Sequence, residues 1–113
     1  MHELSLMAGM MGIIREEARS KGFAKVTRVG LGIGRFAGVE PEALRFAFGA
    51  CTEGSVAEGA ELVIEEIPAR GRCLDCGQEA PIETYADRCP RCRGGQWRIL
   101  SGKETRVQYL DVD

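Results

Sequence analysis

The segment GRCLDCGQEAPIETYADRCPRCRGG, residues 71–95, sets the terms on which the rest of this chain can fold. It holds four of the five cysteines, as Cys73-Leu-Asp-Cys76 and Cys89-Pro-Arg-Cys92 with twelve residues between the pairs. Its large aliphatic residues are only Leu74 and Ile82, so the stretch cannot bury a core of its own and must be held by something else. Two Cys-x-x-Cys turns facing one another place four sulfurs around one cation as a tetrahedron. The competing readings are a pair of redox dithiols and a disulfide-linked loop. With no secretory segment in evidence, the chain reads as cytoplasmic, and in a reducing compartment paired cysteines more often hold metal. Spacing and compartment together favour a structural zinc on Cys73, Cys76, Cys89 and Cys92. Protein would fill all four positions, leaving none for a catalytic water.

On either side of this segment the hydrophobic period changes. Leu4, Met7, Met11, Ile14 and Ala18 recur at steps of three and four, which predicts a helix ending at Lys21-Gly22 with a cationic last turn. From Val26 the period is two. Thr27, Val29, Leu31 and Ile33 share one face of an expected strand, and Val26, Arg28, Gly30 and Gly32 the other. Glu40-Pro41-Glu42 starts a second helix with Leu44, Phe48 and Cys51 on one side, and Gly54 ends it. Leu62 to Ile67 reads as a second strand closed by Pro68, and Val107, Tyr109 and Val112 mark a last one. The expected fold class is α+β: a small mixed sheet of about three strands with two helices, plus an inserted zinc-ribbon module. Residues 1–69 together with about 97–113 would form the α+β domain, and residues 70–96 the zinc-binding domain.

Composition narrows the functions. At 113 residues, 44% hydrophobic and 28% charged, the chain is globular, and its net charge of -2 supplies no global positive field for nucleic acid or an anionic bilayer. The run from Leu4 to Ile14 is too short and too interrupted to span a membrane. Between Arg70 and Arg98 six arginines face four acids. Thiolates and zinc bring that module to formal neutrality, so the arginines read as partners of the thiolate cluster rather than a phosphate-binding stripe. The local aromatic candidates for stacking bases are Tyr85 and Trp97. A zinc-ribbon nucleic-acid or transcription accessory is therefore the alternative function.

Three weaker signals have plain structural explanations. Gly32-Ile-Gly34-Arg-Phe-Ala37 has dinucleotide-loop spacing, but no helix starts within it, so it reads as a bulged strand and turn. Cys51 reads as a small buried hydrophobe, since no histidine is near it in sequence to make it a nucleophile. Met7, Met10 and Met11 fall at helical spacing and read as core filler.

The single histidine, His2, is chemically unusual in its position. The Met1 amine, the His2 backbone nitrogen and the imidazole can close adjacent chelate rings on one metal, with Glu3 supplying a further donor. Such a planar, nitrogen-rich set suits Ni(II) or Cu(II), not a zinc tetrahedron. Spacing alone weighs this site equally against a solvated tail.

Taken together, Met1-His2-Glu3-Leu4-Ser5, the strand ending Gly32-Ile-Gly34, the segment from Val39 to Phe48 and the two cysteine pairs resemble the HypA/HybF hydrogenase nickel-incorporation proteins. The resemblance spans nearly the whole chain in order. It implies a nickel metallochaperone, not an enzyme, that delivers Ni(II) to the large subunit precursor of [NiFe] hydrogenase with a GTPase accessory partner, and it is compatible with a homodimer. It implies nickel at His2, with Met1 and Glu3 as contributors and Glu40 as a candidate nearby ligand. It implies zinc at Cys73, Cys76, Cys89 and Cys92. Relatives that carry a histidine beside a cysteine pair differ here, since Cys73-Leu-Asp-Cys76 lacks one.

Overall fold

The computed structural model describes residues 2–113 and is markedly elongated, with principal extents of 53 × 25 × 17 Å. Its radius of gyration of 17.3 Å exceeds the about 13 Å expected of a compact chain of this length. The excess arises because two small sheets lie end to end.

In the first lobe α1 (Glu3–Lys21) and α2 (Pro41–Thr52) cover one face of a three-stranded sheet. That sheet has the order β2-β1-β6, with β1 (Val26–Gly34) parallel to β2 (Glu61–Ile67) and antiparallel to β6 (Thr105–Val112). Helix α1 buries Met7, Met10, Met11, Ile14 and Ala18 and stops at Gly22, whose φ of 76° admits the left-handed cap. Leu4 shares that stripe, but its turn precedes the packed part of the helix and it is half exposed. Helix α2 starts as its sequence requires. Pro41 occupies the first turn, and the Glu40 carboxylate accepts the orphan Glu42 N–H at 3.2 Å.

The expected strand phase holds from Val29 onward and fails before it. Val26 is buried and Thr27 exposed, the reverse of strict alternation. The cause is a register shift between Val26 and Arg28, where β1 bulges against β6 and turns its first residue to the other face. Past the bulge, Val29, Leu31 and Ile33 meet the helices. On the opposite face Gly30 lies beneath the Tyr109 ring, where a Cβ would stand 2.0 Å from a ring carbon.

The second lobe is a three-stranded antiparallel sheet of order β4-β3-β5, built from β3 (Ala69–Cys73), β4 (Glu79–Ile82) and β5 (Trp97–Ser101). Here the expected boundary shifts. The sequence places residues from about 97 onward in the first lobe, yet Trp97–Ser101 pairs with β3, so the chain returns only after Ser101. Trp97 and Ile99 alternate with exposed Arg98, so the apolar half of β5 completes the small sheet. Its indole lies against Gly71, where a Cβ would stand 2.8 Å from the ring.

The end of β1 fastens the two lobes. Gly34 N–H donates to Glu104 O at 2.7 Å, Arg35 N–H to Ile67 O at 2.9 Å and Phe36 N–H to Gly102 O at 2.6 Å. One short stretch thus binds both strands that connect the lobes.

Candidate metal centres

The two cysteine turns are copies of one another. Gly77 N–H donates to Cys73 O at 2.9 Å and Arg93 N–H to Cys89 O at 2.8 Å, each closing a five-residue turn. Cys73 N–H then donates to Gln78 O, and Cys89 N–H to Gly94 O, both at 2.8 Å. Each turn needs a left-handed residue in its fifth place. Gly77 supplies it at φ 81°, and Arg93, the one non-glycine residue with positive φ among those described, supplies it at 68°.

These turns bring all four sulfurs within 4.8 Å of one another. Cys73 Sγ and Cys92 Sγ are 3.4 Å apart, and Cys76 Sγ and Cys89 Sγ 3.7 Å. A disulfide requires about 2.05 Å, so the sulfurs are not bonded in pairs. A tetrahedron with zinc–sulfur bonds of about 2.3 Å has edges of about 3.8 Å, close to both separations. Cys73 and Cys89 are buried, Cys76 is half-buried and Cys92 exposed. The donor set therefore fits a closed structural zinc site.

Backbone amides favour the thiolate form unequally. The Cys92 N–H, followed by that of Arg91, draws the Cys89 thiol down to about 6. At Cys92 the Gly94 N–H, 3.4 Å from the sulfur, pulls downward, but Cys73, desolvation and the other thiols outweigh it and push the group up to about 12.

At the other end of the molecule, His2 is exposed and stands at the N-cap of α1 in extended conformation, its carbonyl accepting from Leu6 N–H at 3.0 Å. The Glu3 carboxylate accepts the Glu40 backbone N–H at 2.9 Å. That bond, then its own N–H, holds the Glu3 carboxyl below its ordinary value. The start of α1 is thus tied to the N-cap of α2, which sequence spacing did not foretell. Among the described residues the cysteines are the one group of three or more metal-ligating side chains already gathered; His2, Glu3 and Glu40 are not so assembled. Met1 lies outside the described residues.

The remaining signals resolve simply. Gly32 to Ala37 forms the strand end and a turn, with Ala37 N–H donating to Gly34 O at 3.0 Å. Cys51 packs half-buried against the core. Tyr85 stacks on Phe36, and the Trp97 indole N–H donates to Asp87 O at 2.9 Å, so both aromatic candidates serve the fold. No described helix is long and apolar enough to cross a membrane.

An α+β lobe with a histidine at its terminus, carrying an inserted tetrathiolate ribbon, defines a small two-lobed metalloprotein. The family model described as hydrogenase/urease nickel incorporation, metallochaperone, HypA matches residues 1–112. The chain belongs to this HypA family, whose members are nickel metallochaperones for hydrogenase maturation. It is 47% identical over 113 residues to hydrogenase maturation factor HypA of Acidithiobacillus ferrooxidans, covering all of both chains. It is 50% identical over 112 residues to that of Cereibacter sphaeroides, covering 99% of each. The solution structure of the Ni metallochaperone HypA from Helicobacter pylori superposes with a TM-score of 0.74 at 26% identity, covering 99% of this chain and 97% of that one.

Proposed function

We propose that this chain carries Ni(II) at its N-terminus, on the Met1 amine, the His2 nitrogens and Glu3, with Glu40 beside them. It passes the ion to the large subunit precursor of a [NiFe] hydrogenase in the cytoplasm, with a GTPase accessory protein as partner, and catalyses no reaction itself. The zinc held by Cys73, Cys76, Cys89 and Cys92 keeps the second lobe folded.

The observation that carries this reading is the 2.9 Å bond from Glu40 N–H to the Glu3 carboxylate. It anchors the residue next to His2 while leaving the imidazole exposed. A carrier needs that combination, since an incoming ligand must reach the ion for it to be released, and a buried cage would retain it. The amine and imidazole must lose protons to bind, so nickel affinity falls with acid.

Titration of zinc-loaded protein with Ni(II) tests the proposal. His2→Ala abolishes tight nickel binding and keeps zinc, and one residue added before Met1 cripples it without altering any side chain. Undiminished nickel affinity in the extended protein refutes the terminal site.

A further inference from the structure

The second sheet has faces of opposite character. Along β3, Ala69, Gly71 and Cys73 are buried while Arg70 and Arg72 are exposed, and on β5 Arg98 is exposed between half-buried Trp97 and Ile99. Arg72 and Arg98 are direct cross-strand partners, so two guanidinium groups sit opposite one another on the solvent face. Like charges in that position destabilise a sheet. Glu79, across from Arg72 on β4, relieves only part of this through an ion pair at 2.8 Å. Among the described residues neither Arg70 nor Arg98 forms an ion pair, although Arg70 is near enough to Glu79 to help hold its carboxyl below the ordinary value, after the nearer Arg72. In the first lobe Arg28 is paired with Glu61 and Asp111 and Arg35 with Glu66, while Arg45 donates to the Leu62 carbonyl.

Pro81 lies opposite Arg70, and the bulged Leu100, 41% exposed, adds apolar surface beside the arginines. Removing the six arginines and four acids of residues 69–101 from the chain's 15 and 17 leaves nine basic against thirteen acidic residues elsewhere. Although the thiolates and zinc neutralise the module as a whole, its solvent face carries three arginines against one acid, Glu79, and is a local exception on an acidic molecule. We infer that Arg70, Arg72 and Arg98 form a docking surface for a short acidic segment of a partner protein.

Guanidinium groups on a rigid sheet present forked donors that match carboxylates, and neighbouring apolar atoms suit a peptide rather than a free ion. Nucleic acid fits less well. Three arginines make a short stripe, and Tyr85 and Trp97, which could stack on bases, are engaged elsewhere. This surface is independent of the nickel site.

The test uses the zinc-loaded full chain and a synthetic ten-residue glutamate-rich peptide at 0.15 M salt, followed by amide chemical shifts. Saturable shifts confined to β3 and β5, with affinity at least tenfold lower in Arg70→Glu/Arg98→Glu at unchanged zinc content, are expected. Arg98→Thr alone should leave the melting temperature level or raise it, because it removes a like-charge pair. The inference is overturned by any of four results: no saturable shift, shifts centred on Arg88, Arg91 and Arg93, tighter binding of a single-stranded oligonucleotide to the same face, or self-association of the chain through it. A lower melting temperature for Arg98→Thr overturns it as well, by showing that the arginines serve the fold.

Discussion

The rings of Phe36 and Tyr85 stack with centroids 4.2 Å apart and planes 22° from parallel. Phe36 follows the end of β1 in the first lobe, and Tyr85 lies between the cysteine turns of the second. Beside them the Arg35 guanidinium donates to Glu83 O at 2.6 Å and pairs with Glu66 at 3.0 Å. One dipeptide therefore grips the zinc-lobe loop from the side, in addition to the two connecting strands.

Phe36→Ala removes this stack and should destabilise the contact between lobes by about 0.5–1.5 kcal/mol. Zinc content stays at one per chain. Nitrogen-15 relaxation checks the outcome: the lobes of the native chain tumble with one correlation time, and those of the variant diverge.

Cys76→Ser or Cys89→Ser leaves three thiolates and an open tetrahedron. Zinc should be lost and the second lobe unfold, while α1, α2 and the sheet β2-β1-β6 keep their amide pattern. Elemental analysis together with amide spectra separates this from global unfolding, and stoichiometric zinc in either variant refutes the tetrathiolate assignment.

Arg93 holds a backbone conformation that Gly77 occupies in the sister turn. A side chain in the left-handed region costs about 1–2 kcal/mol, partly offset by the greater unfolded-state freedom of glycine. Arg93→Gly should therefore stabilise the second lobe by about 0.5–1 kcal/mol, read as a slower transfer of zinc to a chelator.

The Glu104 carboxylate accepts the Gly102 N–H in the connection between β5 and β6, and its own N–H and that of Gly102 hold the group below its ordinary 4.5. A lowered carboxylate contributes stability that is full above the unfolded value and is lost as pH falls through the folded one. Hydrogen exchange at Gly102 should accelerate as pH drops below 4.5, after correction for intrinsic rates. Glu104→Gln should make that protection independent of pH in the same range.

What the sequence disclosed was what its own local chemistry determines. The methionine stripe of α1, the Glu40-Pro41 start of α2 and the paired cysteines each depend on neighbours within a turn or two, and the structure has them where spacing placed them. Contacts between distant residues were not legible. Trp97 and Ile99 would suit either sheet by polarity, and only pairing with β3 assigns them. The bulge that reverses Val26 and Thr27 comes from the partner strand, and the grip of Phe36 on Tyr85 joins residues with no common periodicity. The bond from Glu40 to Glu3 joins the starts of two helices, each readable alone, whose meeting is a product of packing.

The second lobe leaves and re-enters the first at nearly one point, for Arg70 and Ser101 are paired and the Ser101 hydroxyl donates to Pro68 O at 3.3 Å. Residues 69–101 are in effect a cassette with adjoining ends. A bridge of a few glycines and serines could span that gap, and closing so short a loop costs less chain entropy than closing the long excursion of residues 69–101 that it would replace. Such a graft would keep the pairing of β1 with β2 and β6 and would give up, on the first lobe's side, the contacts of Arg35 and Phe36 with Glu83 and Tyr85.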